Sequence, residues 1–173
     1  MQNLFLHPAI VPTSSDDGTS VISTTELVRS FRKHGIKVAW VNWGLNNFDL
    51  LTLSPSAKLG FYSTVNADQS IVSDRGMVEE GNQTVEAGGE LMAGSWNFEP
   101  YGPLKKVVQD GVAAGTDLQF NKNRLSGLWG AQTPFGMWLQ ENEITTIFIG
   151  GVDADQCVRS MFMDTYFKGY DFI

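Results

Sequence analysis

Two reactive side chains in this sequence stand directly after apolar, β-branched runs. Cys157, the only cysteine in the chain, follows Thr145-Thr146-Ile147-Phe148-Ile149 and then Gly150-Gly151. An apolar run ended by glycines reads as a strand buried on both faces of a parallel sheet, and Asp153 or Asp155 then caps a helix. Cys157 falls in the first turn of that helix, where unbonded N–H groups and the positive end of the helix dipole favour a thiolate. A nucleophile on a strand-to-helix turn suits covalent acyl transfer. A small apolar residue packed under a helix fits the same place, and the cysteine alone does not separate the two.

Lys122 is the second such residue. It follows Thr116-Asp117-Leu118-Gln119-Phe120, a second run with strand character. Parallel strands bring their carboxyl ends to one edge of the sheet, where open α/β folds bind ligands, so Lys122 and Cys157 are expected together there. An ammonium beside a thiol stabilises the thiolate and an anion developing on a substrate. Taken singly, a lysine after a strand is equally a solvated surface residue.

Other chemistries lack their residues. His7 and His34 are the only histidines; His34 closes a helix, where the dipole favours it, and His7 lies in a loop. Neither makes a papain-like partner for Cys157, and with one cysteine they do not make a zinc site. Gly127-Leu128-Trp129-Gly130 lacks the lysine of a phosphate loop. Gly150-Gly151 lacks the third glycine of a dinucleotide fingerprint.

The elements that must hold Cys157 and Lys122 alternate helix and strand. Residues 1–19 read as an extended loop. Ser23-Thr24-Thr25-Glu26 has capping-box spacing, with Leu27, Val28 and Phe31 on one helical face and Gly35 as the stop. Ile36 to Val41 is the first clear strand. The stretch from Trp43 to Gly115 is irregular and acidic in its middle, with short helices expected at Lys58 to Tyr62 and Pro103 to Val112. Thr133-Pro134 opens a helix with Phe135, Trp138 and Leu139 inward. Met161, Phe162, Thr165 and Tyr166 supply the buried spacing of the helix after Cys157, and Tyr170 to Ile173 begins another strand. The fold class is α/β, a mostly parallel sheet with helices on both faces.

With 42% hydrophobic and 18% charged residues the composition is globular, and 173 residues suit one domain spanning 1–173. A net charge of −7 argues against nucleic-acid and anionic-membrane partners. A small-molecule substrate is the partner expected; the sequence leaves the oligomeric state open, a homo-oligomer included. One cysteine and no leader or long apolar run point to the cytoplasm.

Gly151-Val152-Asp153-Ala154-Asp155-Gln156-Cys157-Val158 resembles the Gly-Val-x-Thr-Asp-x-Cys-Val signature of the isochorismatase-like cysteine hydrolases, which include isochorismatases, nicotinamidases and carbamoylsarcosine amidases. Lys122-Asn123-Arg124-Leu125-Ser126 resembles the family's Lys-x-x-x-Ser segment. Thr133, Asp164 and Gly169-Tyr170 also fall in place. The resemblance implies a Rossmann-like sheet in the order 3-2-1-4-5-6 and hydrolysis of an amide, other C–N bond or vinyl ether in a small polar molecule. Its triad implies Cys157 as nucleophile, Lys122 as polarising cation and an Asp as proton carrier. It implies a cis peptide at Val152–Asp153 that turns N–H groups, with that of Cys157, into an oxyanion hole. Asn42, Trp43, Ser126, Trp129 and Asp155 are the pocket candidates. No cofactor is implied, and no metal, because Asn42-Trp43-Gly44-Leu45-Asn46 replaces the Asp-x-His of metal-binding members.

Ala154 stands where the family has Thr. The larger departure concerns the Asp, which the family carries at the end of its first strand before Met-Gln-Asn. This chain begins Met1-Gln2-Asn3, so a fragment is expected, lacking the first strand and its carboxylate and stopping inside the fifth. Asp16, Asp17 and Asp49 follow no buried strand. The strands at Ile36 and Thr145 are then expected to have open edges, unless a strand at Met1 to Phe5 fills the slot. The alternative function is a catalytically impaired binding module of the same fold.

Overall fold

The computed structural model describes residues 1–11, 18–56 and 74–173. The helix expected at Lys58 to Tyr62 lies outside them. The helices are α1 (Asn3–Leu6), α2 (Thr19–Lys33), α3 (Asn47–Thr52), α4 (Pro103–Ala113), α5 (Pro134–Glu141) and α6 (Arg159–Phe167). The strands are β1 (Val38–Trp43), β2 (Met77–Glu80), β3 (Gln83–Glu86), β4 (Asp117–Lys122), β5 (Thr146–Ile147) and β6 (Asp171–Phe172). The chain forms two compact units, one of Met1, Asp16–Asn42 and Pro103–Ile173, the other of Gln2–Ser15 and Trp43–Gly102.

The first unit carries the reactive residues. β1 pairs with β4, and the Val38 N–H donates to the Thr116 carbonyl over 3.4 Å, so both strands start at the same end. β5 pairs with β6 in parallel, Thr146 opposite Asp171 and Ile147 opposite Phe172, and backbone hydrogen bonds continue the ladder to Ile149. Buried Leu128, Phe135 and Leu139 form a core against which Ala39 and Val41 of β1, Phe120 of β4 and Ile147 of β5 all pack. Phe31 of α2 meets Phe148 with ring centroids 5.1 Å apart. The two ladders therefore share a core, but among the described residues no hydrogen bond joins β1 to β5.

That gap corrects one expectation. The Thr145–Ile149 run is apolar enough for burial on both faces, yet Phe148 is 46% exposed and Thr146 is exposed as well. A strand hydrogen-bonded on one side leaves its other flank to water.

α2 is joined to β4 by an ion pair. Arg32 Nε and Nη2 donate to the two carboxylate oxygens of Asp117 over 2.9 and 2.6 Å, and Trp40 Nε1 and the Thr116 hydroxyl donate to the same carboxylate. Arg32 also donates to the Val107 carbonyl of α4. α2 begins at Thr19 after Gly18, which is left-handed at φ 91°, rather than at Ser23. The Ser23–Glu26 spacing falls inside the helix, and Thr25 bonds back to the Val21 carbonyl. Val28 faces the core, whereas Leu27 is largely exposed. In α6, Thr165 is fully buried and Met161 packs on the core, while Phe162 and Tyr166 are exposed. Their face points away from the Leu128 cluster.

The second unit is built on polar clamps. Residues 3–6 form a helical turn instead of extended chain. Gln2, fully buried, accepts from the Trp43 N–H and donates to the Trp43 and Phe98 carbonyls. Asn97, also fully buried, donates to the carbonyls of Ala87 and Gly89 and accepts from the Leu91 N–H. Strands β2 and β3 pair as an antiparallel hairpin.

Candidate active site

β4 ends at Lys122, and the following loop turns back over its side chain. Lys122 is buried. Its ammonium donates to the Leu125 carbonyl and is hydrogen-bonded to Cys157. Burial, ahead of the opposing attraction of Cys157, holds the Lys122 pKa below the usual lysine value. This is the direction expected when an ammonium is taken out of water.

Cys157 is half-buried. It lies in a π-helical turn, Ala154–Val158, that runs directly into α6. Asp153 sits at the N-cap, where its side chain makes no capping bond. Its carbonyl accepts from the N–H groups of Gln156 and Val158, both over 3.2 Å. The peptide between Val152 and Asp153 is cis. The Asp153 carboxyl is pushed above the usual range, by burial first and by neighbouring Asp155 second.

The remaining candidates are dispersed. Ser126 is buried and structural: its hydroxyl accepts from the Leu128 N–H over 3.0 Å and lies 3.7 Å from Met161 Sδ. Trp43 is buried in the second unit under the Gln2 clamp. Asn42 ends the first unit's part of β1, and Asp155 is exposed. Trp129 is 51% exposed, its indole N–H donating to Asn123 Oδ1 over 3.0 Å. Thr133 caps α5 through its hydroxyl on the Gly136 N–H. Spacing alone does not single out Arg124, whose guanidinium carbon lies 4.9 Å from the Trp129 ring centroid. Its only mark in the sequence is its place two residues after Lys122.

A buried lysine at the end of one strand, bonded to a cysteine at the start of a helix that follows another, is an arrangement suited to attack on a carbonyl carbon. The profile of the isochorismatase domain matches residues 1–173. The chain belongs to the isochorismatase family.

Solved structures of the family agree with this isochorismatase-like hydrolase in fold. Nicotinamidase PncA from Bacillus subtilis is 20% identical with a TM-score of 0.66, covering 99% of this chain and 77% of its own. N-carbamoylsarcosine amidase from Thermoplasma acidophilum is 22% identical at 0.65, with 99% and 75% covered. Yeast nicotinamidase Pnc1p, bound to the inhibitor nicotinaldehyde, is 16% identical at 0.62, with 98% and 80% covered. No curated protein sequence matches. Among the described residues no helix is long and apolar enough to cross a membrane, and no His, Cys, Asp and Glu side chains group into a metal site.

Proposed function

We propose that this isochorismatase-like protein hydrolyses an amide or related C–N bond in a small polar molecule, with Cys157 as nucleophile and Lys122 as polarising cation. The observation that carries this reading is the hydrogen bond between the Lys122 ammonium and Cys157. Sulfur attacks the carbonyl carbon, and the developing oxyanion is stabilised by Lys122 and by N–H groups of the Val152–Cys157 segment. The C–N bond then breaks, and the nitrogen leaves with the proton given up by the thiol. Water hydrolyses the thioester to the acid and restores the thiol.

A carboxylate must carry that proton. We assign it to an Asp, the third member of the family's triad. The relatives named nicotinamidase and amidase favour an amide over a vinyl ether, as does the presence of a cysteine nucleophile.

The test is hydrolysis of a panel of small primary amides, read by ammonia release. Turnover by the native protein that Cys157→Ala abolishes and Lys122→Ala lowers severely is the expected result. Equal activity of native and Cys157→Ala proteins would remove the covalent mechanism. The second reading is a binding module of the same fold. Substrate amides that bind without turnover, equally in both proteins, would establish it instead.

A further inference from the structure

We propose that Arg124, stacked on Trp129, selects the substrate of the Cys157 site, and that this substrate carries a small carboxylate beside the carbon attacked. The inference rests on the nucleophilic role of Cys157 proposed above and adds the chemical class of the substrate.

The loop after β4 holds this pair in place. Trp129 is anchored through its indole N–H on Asn123 Oδ1, and Arg124 Nη1 donates to the Asn123 carbonyl over 2.7 Å. The guanidinium thus lies against an indole that is half exposed to water. Stacking of this kind fixes a long side chain that would otherwise sample many rotamers. The same loop is tied to the reactive centre, because Lys122 holds the carbonyl of Leu125, the residue after Arg124, while bonding to Cys157.

The charges around Cys157 give the site a polarity. Asp153 and Asp155 precede the cysteine on its own turn and repel an anion from that side. Lys122 supplies positive charge from the loop side, and Arg124 stands two residues after it on the same loop, in a protein whose net charge is −7. Lys122 is buried and engaged with the thiol, so it serves the reacting atoms. Arg124 is charged at every working pH, and its planar fork of N–H donors matches a carboxylate in a way a lysine does not.

Alkylation of the single cysteine tests this without knowledge of the substrate. Iodoacetate and iodoacetamide differ by a carboxylate against a neutral amide of the same size. With either reagent the Cys157 sulfur bonds to the methylene carbon, the carbon–iodine bond breaks and iodide leaves. The quantity read is the ratio of the two rates, divided by the same ratio for free cysteine.

A ratio about tenfold above free cysteine is expected, the scale of one charge-assisted hydrogen bond. It should fall close to the free value in Arg124→Gln, stay partly raised in Arg124→Lys, and decline as salt is added to the native protein. An identical ratio in native and Arg124→Gln proteins, or a native ratio that salt leaves unchanged, would overturn the inference. The salt series needs no folded variant, so a glutamine protein that misfolds does not block the answer. Failure of the underlying reading has a different signature: iodoacetamide itself would then react no faster with Cys157 than with free cysteine, whatever the ratio.

Discussion

Lys122 bonds at once to the thiol of Cys157 and to the carbonyl of Leu125, so one ammonium links the end of β4, the loop that follows it and the turn after β5. Lys122→Met removes that cation while keeping much of the side chain's bulk. Alkylation of Cys157 by iodoacetamide near neutral pH is expected to slow about tenfold, because the cation bonded to the attacking sulfur is lost. A rate equal to that of the native protein would show the contact to be incidental.

The lowered Lys122 pKa has a consequence for the pH profile. Burial disfavours the ammonium, so this lysine loses its proton at a lower pH than the ordinary value of 10.5. If the cation is needed, kcat/KM falls on the alkaline side below that ordinary value. In Lys122→Arg the surviving activity should keep its charge and lose this limb, since arginine does not deprotonate in proteins. The readout is the alkaline arm of the profile, not the absolute rate.

Arg32 and Asp117 make a stability prediction. Burial alone would raise the Asp117 pKa, but hydrogen bonds from Arg32, Trp40 and Thr116 together outweigh it and leave the carboxyl below its ordinary 3.8. A depressed carboxyl contributes stability that is complete above the unfolded value and is lost as pH falls through the folded one. Acid unfolding should therefore include this group below about pH 4. Asp117→Ala, which leaves Arg32 without its carboxylate, should cost about 3–5 kcal/mol in urea unfolding at neutral pH.

Gly111 tests the same contact from the other side. A Cβ there would lie 2.1 Å from Arg32 Nη2 and 2.3 Å from the Asp117 carboxyl carbon. The close approach of α4 to this ion pair requires glycine, so Gly111→Ala should destabilise the protein even though alanine is the better helix former. Combined with Asp117→Ala its cost should be less than additive, since both changes break one network.

In the second unit, the Asn97 side chain binds the backbone of Leu91, which itself has φ 59°, and of Ala87 to Gly89 before it. Asn97→Ala leaves the buried Leu91 N–H without its acceptor, at about 1–3 kcal/mol, whereas the carbonyls of Ala87, Gly88 and Gly89 keep backbone donors. Leu91→Gly relieves the left-handed backbone but gives up a fully buried side chain. A buried leucine is worth about 1.5–3 kcal/mol, so the variant should still be less stable. Thermal unfolding measures both.

Much of the site could be read from residue order. The apolar run before Gly150 and the strand before Lys122 each end in a reactive side chain, and parallel strands place such ends together. Thr133-Pro134 likewise identifies the start of α5 by local chemistry, since the threonine hydroxyl caps its own helix. Local signals fail where a distant partner decides. Ser23–Glu26 has the spacing of a cap, but Gly18 begins the helix earlier, and Leu27 has an apolar side chain with no core to meet.

What the sequence by itself determined is the chemistry available: one thiol, one lysine after a strand, and helices and strands in α/β order. Only the tertiary structure decided which of these groups meet, because contact depends on how the elements pack. It bonded Lys122 to Cys157, turned Ser126 inward to hold its loop and stacked Arg124 on Trp129. Among the described residues it also left β1 and β5 unjoined over one core. Pairing is a property of two strands at once, so the apolar run at Thr145–Ile149 does not itself specify which strand lies beside it.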